Sequence, residues 1–178
     1  MSKTSLRKEL STFTSEQLVE VILSAYDSSK EAKDYFEFFL NPDADALLDK
    51  KADIIARELN RSRRGTCKGR ISLILKAIKE FEAYGTGPEK TSQLMAGAIR
   101  MLVGQYRYLN YSEALLKGTF RLVHDYIVYA DRNAMLQPAL ESLRAVIDDR
   151  NLGTAQMRDR IRRVMTDTIE EIAGTKGS

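Results

Sequence analysis

Apolar residues recur three and four positions apart along most of this chain, the spacing that lines one face of an α-helix. Leu6 and Leu10 predict a short opening turn that stops at Ser11-Thr12. Leu18, Val21, Ile22, Ala25 and Tyr26 then predict an amphipathic helix to about Asp27. Thr14 or Ser15 can cap it, with Gln17 as the capping-box partner of Thr14. After a weak joint at Ser28-Ser29, the residues Ala32, Tyr35, Phe36, Phe39 and Leu40 predict a short helix with an aromatic face. Asn41-Pro42-Asp43 ends it, because proline pushes the preceding residue out of helical backbone and is itself welcome at a helix start. Ala46, Leu47, Ile54, Ile55 and Leu59 carry a third helix to about Asn60.

The periodicity lapses from Arg61 to Arg70, where five basic residues and two glycines occur with no acid, and this stretch reads as a basic loop. Ile71, Ile74, Leu75, Ile78 and Phe81 restore it until Gly85-Thr86-Gly87-Pro88, a stop followed by a start. Four further helices follow: Glu89 to about Leu109, one through Leu115 to Ile127, one from about Met135, and one capped by Thr154. The tail from Gly174 to Ser178 is small and polar, and is expected to fray. No run combines period-two alternation with turn signals, so no strand is predicted.

The fold class predicted is all-α: a single-domain antiparallel helical bundle or a short α-α superhelical stack of about eight helices. One domain over 1–178 is expected, with room for an N-terminal helical subdomain at 1–60, the basic loop at 61–70, a C-terminal helical half at 71–173 and the tail at 174–178. No fixed repeat register separates bundle from stack.

Composition narrows the class of protein. A chain of 178 residues with 43% hydrophobic and 30% charged residues buries one sizeable core, and disorder is excluded for the whole. Net charge is only +3, which by itself does not call for nucleic acid. Cys67 is the single cysteine, so no intramolecular disulfide can form and a cytoplasmic location is expected. No signal-peptide core and no run of membrane-spanning length is visible, so no membrane partner is expected.

The first half of the chain resembles a known family. Ser2-Lys3 then Leu6, the helix start Ser15-Glu16-Gln17-Leu18, the segment Tyr35-Phe36-Glu37-Phe38-Phe39-Leu40-Asn41-Pro42-Asp43, and the stretch from Arg64-Gly65 to Ala77-Ile78 are similar to an uncharacterised bacterial helical domain family of unknown function. The resemblance runs over residues 2–82, and its most specific piece is the aromatic-Leu-Asn-Pro-Asp run. It implies a helical fold and a similar length, and it transfers no catalytic residue.

Candidate chemistry is sparse. Arg61, Arg63, Arg64, Lys68 and Arg70 could neutralise phosphates of a nucleic acid or another polyanion; the alternative is that they answer acids of the fold or of a partner, and residues 27–49 hold seven acids against two lysines. Arg158, Arg160, Arg162 and Arg163 on the last helix form a second basic stripe. Gly65 to Ser72 fails as a nucleotide-binding loop, because three residues rather than four separate the glycines and the lysine comes too early.

His124 is the lone histidine and cannot build a bundle metal site, since Arg121 stands where a glutamate ligand is needed. Asp125 is expected to point about 100° away from it around the helix, which leaves His124 a half-buried structural residue. Cys67, beside Lys68 and Arg70, lacks a positioned base. Asp148-Asp149 and Glu170-Glu171 diverge on their helices as surface acids. Tyr35, Phe36 and Phe39 give a helix more apolar circumference than one core contact uses, so it is either buried on two sides or exposed as an apolar interface. Tyr106, Tyr108 and Tyr111 read as packing anchors near a joint.

These observations lead us to expect a noncatalytic protein-interaction module, binding an unknown protein partner or itself, with no cofactor and no metal. The alternative is nucleic-acid or polyanion binding through 61–70.

Overall fold

Five of the helix starts in this chain are fixed by hydroxyl groups. Ser2, Thr14, Ser29, Ser112 and Thr154 each accept a hydrogen bond from the backbone amide three residues on, at 3.1 to 3.2 Å. Each satisfies one of the amides that a helix leaves without an internal partner. At Thr14 the box is complete, because its own amide donates to the Gln17 side chain at 2.9 Å. Pro88 supplies the remaining clear start, at the first turn of its helix.

The computed structural model describes residues 1–60, 69–106 and 111–176. Among them are nine α-helices and no strand: α1 (Lys3–Leu10), α2 (Ser15–Ser28), α3 (Lys30–Leu40), α4 (Ala44–Leu59), α5 (Ile71–Ala83), α6 (Pro88–Gln105), α7 (Glu113–Arg132), α8 (Leu136–Asp148) and α9 (Ala155–Lys176). The fold is all-α, as the periodicity requires, with one helix more than the eight or so expected. No helix among the described residues is long and apolar enough to cross a membrane. At the end of the described residues α9 continues to Lys176, and the Thr175 hydroxyl donates to the carbonyls of Glu171 and Ile172.

The chain divides into two units, Met1–Asp43 and Ala44–Ser178. In the first, α2 and α3 pack as a hairpin. The Tyr26 hydroxyl donates to Glu37 at 3.2 Å, and Lys33 lies over the Tyr26 ring while approaching Glu37. No residue of this unit is buried.

The second unit is built around α6 and α7, which pack on each other; α6 also meets α4, α5 and α8, and α7 meets α5, α8 and α9. Ile55, Leu59, Ile74, Phe81, Ile99, Leu102, Val123, Ile127 and Ile161 are fully enclosed there. Two features fix how α5 lies. Gly118 of α7 lets Ile71 approach so closely that a β-carbon on the glycine would sit 2.3 Å from Ile71 Cγ1. On α4, the nearly buried Lys51 ammonium reaches Glu80 of α5 at 2.6 Å. At the junction of α8 and α9, Gly153 has φ +59°, a left-handed conformation that glycine adopts without strain, and it lies against Val103 of α6.

Candidate functional site

Exposed apolar side chains are concentrated at one end of the sequence. Among the described residues, the large hydrophobic side chains that remain exposed all belong to Met1–Asp43. On α2 they are Val19, Val21, Ile22 and Leu23, with Val19 and Leu23 each at least half exposed. On α3 they are Tyr35, Phe39 and Leu40, with Phe39 at 68%. The cause is arithmetic of faces. Leu18, Ala25 and Tyr26 are half-buried, and the pairing of two short helices cannot also cover a second apolar stripe.

On α3, Tyr35 stacks on Phe39 at 6.5 Å and meets Phe36 edge-on at 5.7 Å. The three aromatic residues singled out from the sequence therefore form one continuous cluster, with Phe36 half-buried and the other two exposed.

The apolar stripe of α2 has an acidic flank. At about 100° per residue, Val19 and Leu23 are neighbours around the helix, and Glu16, Asp27 and Glu20 follow immediately on one side. All three acids are exposed. Glu16 is held below the usual carboxylate range by a backbone hydrogen bond and by the Thr14 side chain, so its charge is secured at the start of α2. Over residues 15–40 six acids face two lysines. This flank was missed in the sequence because the acids are spread three to seven residues apart and form a row only once wound on the helix.

The basic candidates are placed differently. Arg61, Arg63, Arg64 and Lys68, with Cys67, lie outside the described residues. Arg70 is described, and its guanidinium makes a two-pronged contact with Glu58, 2.9 Å from Nε and 2.7 Å from Nη2. That carboxylate belongs to α4, rather than to the acid-rich 27–49 stretch. On α9, Arg158 donates to the Leu152 carbonyl, Arg162 to Asp159, and Arg160 lies over the Phe120 ring.

A cleft of about 530 Å³ opens between α5 and α7, with Met95 of α6 among its lining residues. Its apolar wall includes Leu75, Ile78, Leu122 and Val128. Lys79, Glu82, Arg121, Asp125 and Arg132 rim it, and His124 and Tyr129 enter from α7. The sequence signal was present, since 75, 78, 79 and 82 share one face of α5, and 121, 125, 128 and 132 one face of α7.

His124 corrects the expectation that Asp125 would not reach it. Its Nδ1 is 3.2 Å from Asp125 Oδ1 and its Nε2 is 3.3 Å from Glu171 on α9. Adjacent helical residues diverge at Cβ, but both side chains can bend along the helix surface and meet. A neutral imidazole donates from one nitrogen only, so both contacts are hydrogen bonds together when the ring carries two protons. Burial, assisted by the Glu82 and Glu89 carboxylates, pushes the Tyr129 phenol above its ordinary range against a hydrogen bond with Thr91. Among the described residues no group of three or more His, Cys, Asp or Glu side chains converges as a metal site. Of the three junction tyrosines, Tyr106 and Tyr111 meet edge-on at 4.9 Å and the Tyr111 hydroxyl donates to the Leu102 carbonyl; Tyr108 lies outside the described residues.

The chain matches the model of a family of unknown function, DUF6155, over residues 1–167, and belongs to that family. The match runs well beyond the 2–82 stretch on which the resemblance was first visible. No curated protein and no solved structure matches the chain.

Proposed function

We propose that this member of the family is a noncatalytic interaction module that captures a basic amphipathic helix of a partner protein on its α2–α3 hairpin. The observation that carries the reading is the exposure of Val19, Ile22, Leu23, Tyr35, Phe39 and Leu40 on a unit with no buried residue. A segment of about 40 residues rarely builds a self-sufficient core, so such a hairpin gains most from covering its apolar surface. Burying a large apolar side chain in full is worth about 1.5–3 kcal/mol, and these are roughly half exposed, so each contributes about 1 kcal/mol on docking. The six together give about 6 kcal/mol, less than the roughly 8 kcal/mol of a micromolar complex, so the partner's own apolar stripe has to supply the rest together with the cost of association.

The acidic flank selects the partner. Glu16, Glu20 and Asp27 beside Val19 and Leu23 favour lysine or arginine bordering an apolar stripe, and they oppose pairing of the hairpin with a second copy of itself. A single cysteine is in keeping with a cytoplasmic setting.

The test is a titration of the full chain with synthetic amphipathic helices of about 18 residues, one with a leucine stripe bordered by lysines and one bordered by glutamates. The lysine peptide should bind, and the Val19→Glu/Leu23→Glu chain should lose that binding. Equal binding of both peptides, or undiminished binding by the double variant, refutes the proposal.

A further inference from the structure

The cleft between α5 and α7 lies wholly within Ala44–Ser178 and has no part in the hairpin reading. At about 530 Å³ it falls within the range of roughly 300–1,000 Å³ usual for small-molecule sites. Leu75, Ile78, Met95, Leu122 and Val128 give it apolar walls. The charges around it answer one another. Arg121 is 3.5 Å from Asp125, and His124 meets both Asp125 and Glu171. Glu82 and Glu89 both act on the Tyr129 phenol, and the rim also holds Lys79 and Arg132. Lys79, Arg121 and Arg132 are thus set against Glu82, Glu89, Asp125 and Glu171, with His124 as a fourth base, so the surroundings stay within one charge of neutral in either form of the ring. A charged head group would leave water here with no unmatched opposite charge to receive it, which is costly; an uncharged one meets no such cost.

One polar group of the lining keeps capacity for a ligand. The Thr91 hydroxyl has a single proton and donates it to the Gly87 carbonyl at 3.1 Å. Towards Tyr129, with which it is also hydrogen bonded, it can then only accept, so the phenol gives its proton to Thr91 and keeps a lone pair. Burial and the two carboxylates favour the uncharged phenol, so no charge develops at this point of the cleft. We infer that the cleft binds an uncharged amphipathic alcohol, whose aliphatic or aromatic body lies against the apolar walls and whose hydroxyl donates to the Tyr129 oxygen.

The experiment is calorimetric titration of the full chain with 1-octanol, its methyl ether, octanoate and octylammonium, each kept below its solubility or aggregation limit. Octanol should bind one per chain, about tenfold or more tighter than either ion, and a few-fold tighter than the ether, which has no proton to donate. Tyr129→Phe should bring octanol down to the level of the ether and leave the ether where it was. Val128→Glu sets a carboxylate on the apolar wall at a half-buried position and should abolish octanol binding while circular dichroism shows the helices retained. Val19→Glu/Leu23→Glu should leave octanol unchanged, which separates the cleft from the apolar hairpin. Absence of octanol binding, equal or tighter binding of either ion, an alcohol no better than its ether, indifference to Tyr129→Phe, undiminished binding by a folded Val128→Glu chain, or loss of binding in the hairpin variant would each overturn the inference.

Discussion

Replacing Glu80 by alanine removes the carboxylate from an ammonium that is almost dry. Lys51 Nζ lies 2.6 Å from Glu80 Oε2, with the Lys51 side chain 9% exposed and that of Glu80 35% exposed. The pair joins α4 to α5, and the Tyr84 ring lies 5.9 Å from the ammonium. Stripping one member from a fully buried pair costs roughly 3–5 kcal/mol. Glu80 is about one-third exposed, so water can reach the vacated position, and the expected loss is about 2 kcal/mol. Lys51→Met removes the dry charge itself and leaves Glu80 with Lys76, 3.4 Å away, so it should cost less than about 1 kcal/mol. In the double variant Lys51→Met/Glu80→Ala neither charge is stranded, and most of the Glu80→Ala loss should be recovered.

Urea unfolding followed by circular dichroism at neutral pH reads all three. The same pair predicts a pH dependence. Desolvation raises the Glu80 pKa, but the hydrogen bonds and charges of Lys51 and Lys76 outweigh it and hold the group below its ordinary value. Its folded value thus lies below its unfolded one. The stabilisation is present above the unfolded value and disappears as pH falls through the folded one. Equal losses in Glu80→Ala and Lys51→Met, with no recovery in the double variant, would refute the reasoning.

Other expected outcomes follow from single contacts. Gly118→Ala forces a β-carbon to within 2.3 Å of Ile71 Cγ1, so it should lower stability by about 1–3 kcal/mol in the same urea assay; adding Ile71→Ala should restore room and relieve part of that strain. Thr14→Ala breaks the capping box of α2 and should cost about 1 kcal/mol locally, seen as faster hydrogen exchange at the Gln17 amide and unchanged exchange in α7. Tyr129 has its pKa raised by burial first and then by Glu82 and Glu89, so stability should fall as pH rises from the unfolded tyrosine value through the folded one; Tyr129→Phe should remove that alkaline slope.

Much of the helical layout was legible because its signals are local. Thr14 with Gln17, Asn41-Pro42, Gly85 to Pro88 and Thr154 mark boundaries that α2, α3, α5, α6 and α9 respect. The aromatic crowding at Tyr35, Phe36 and Phe39 was legible too, though periodicity could not say whether the helix is covered on both sides. What escaped is pairwise and distant in sequence. Nothing in the one-dimensional pattern couples Lys51 to Glu80, Glu58 to Arg70, or His124 to Glu171. The His124–Asp125 contact failed for a different reason, since Cβ directions alone do not account for the reach of two flexible side chains. The two faces that line the cleft were each legible, but not that α5 lies against α7, because a glycine within a helical run does not announce the close approach of Ile71 to Gly118.

In the chain alone the apolar face of α2 and α3 is exposed. Hydrogen exchange of the full chain at neutral pH measures this most directly, because weakly covered helices open far more readily than a packed core. Amides across residues 15–40 should exchange orders of magnitude faster than those of α6 and α7, and should slow on addition of the lysine-bordered helix. Protection of 15–40 equal to that of α6 and α7 in the chain alone would contradict the claim.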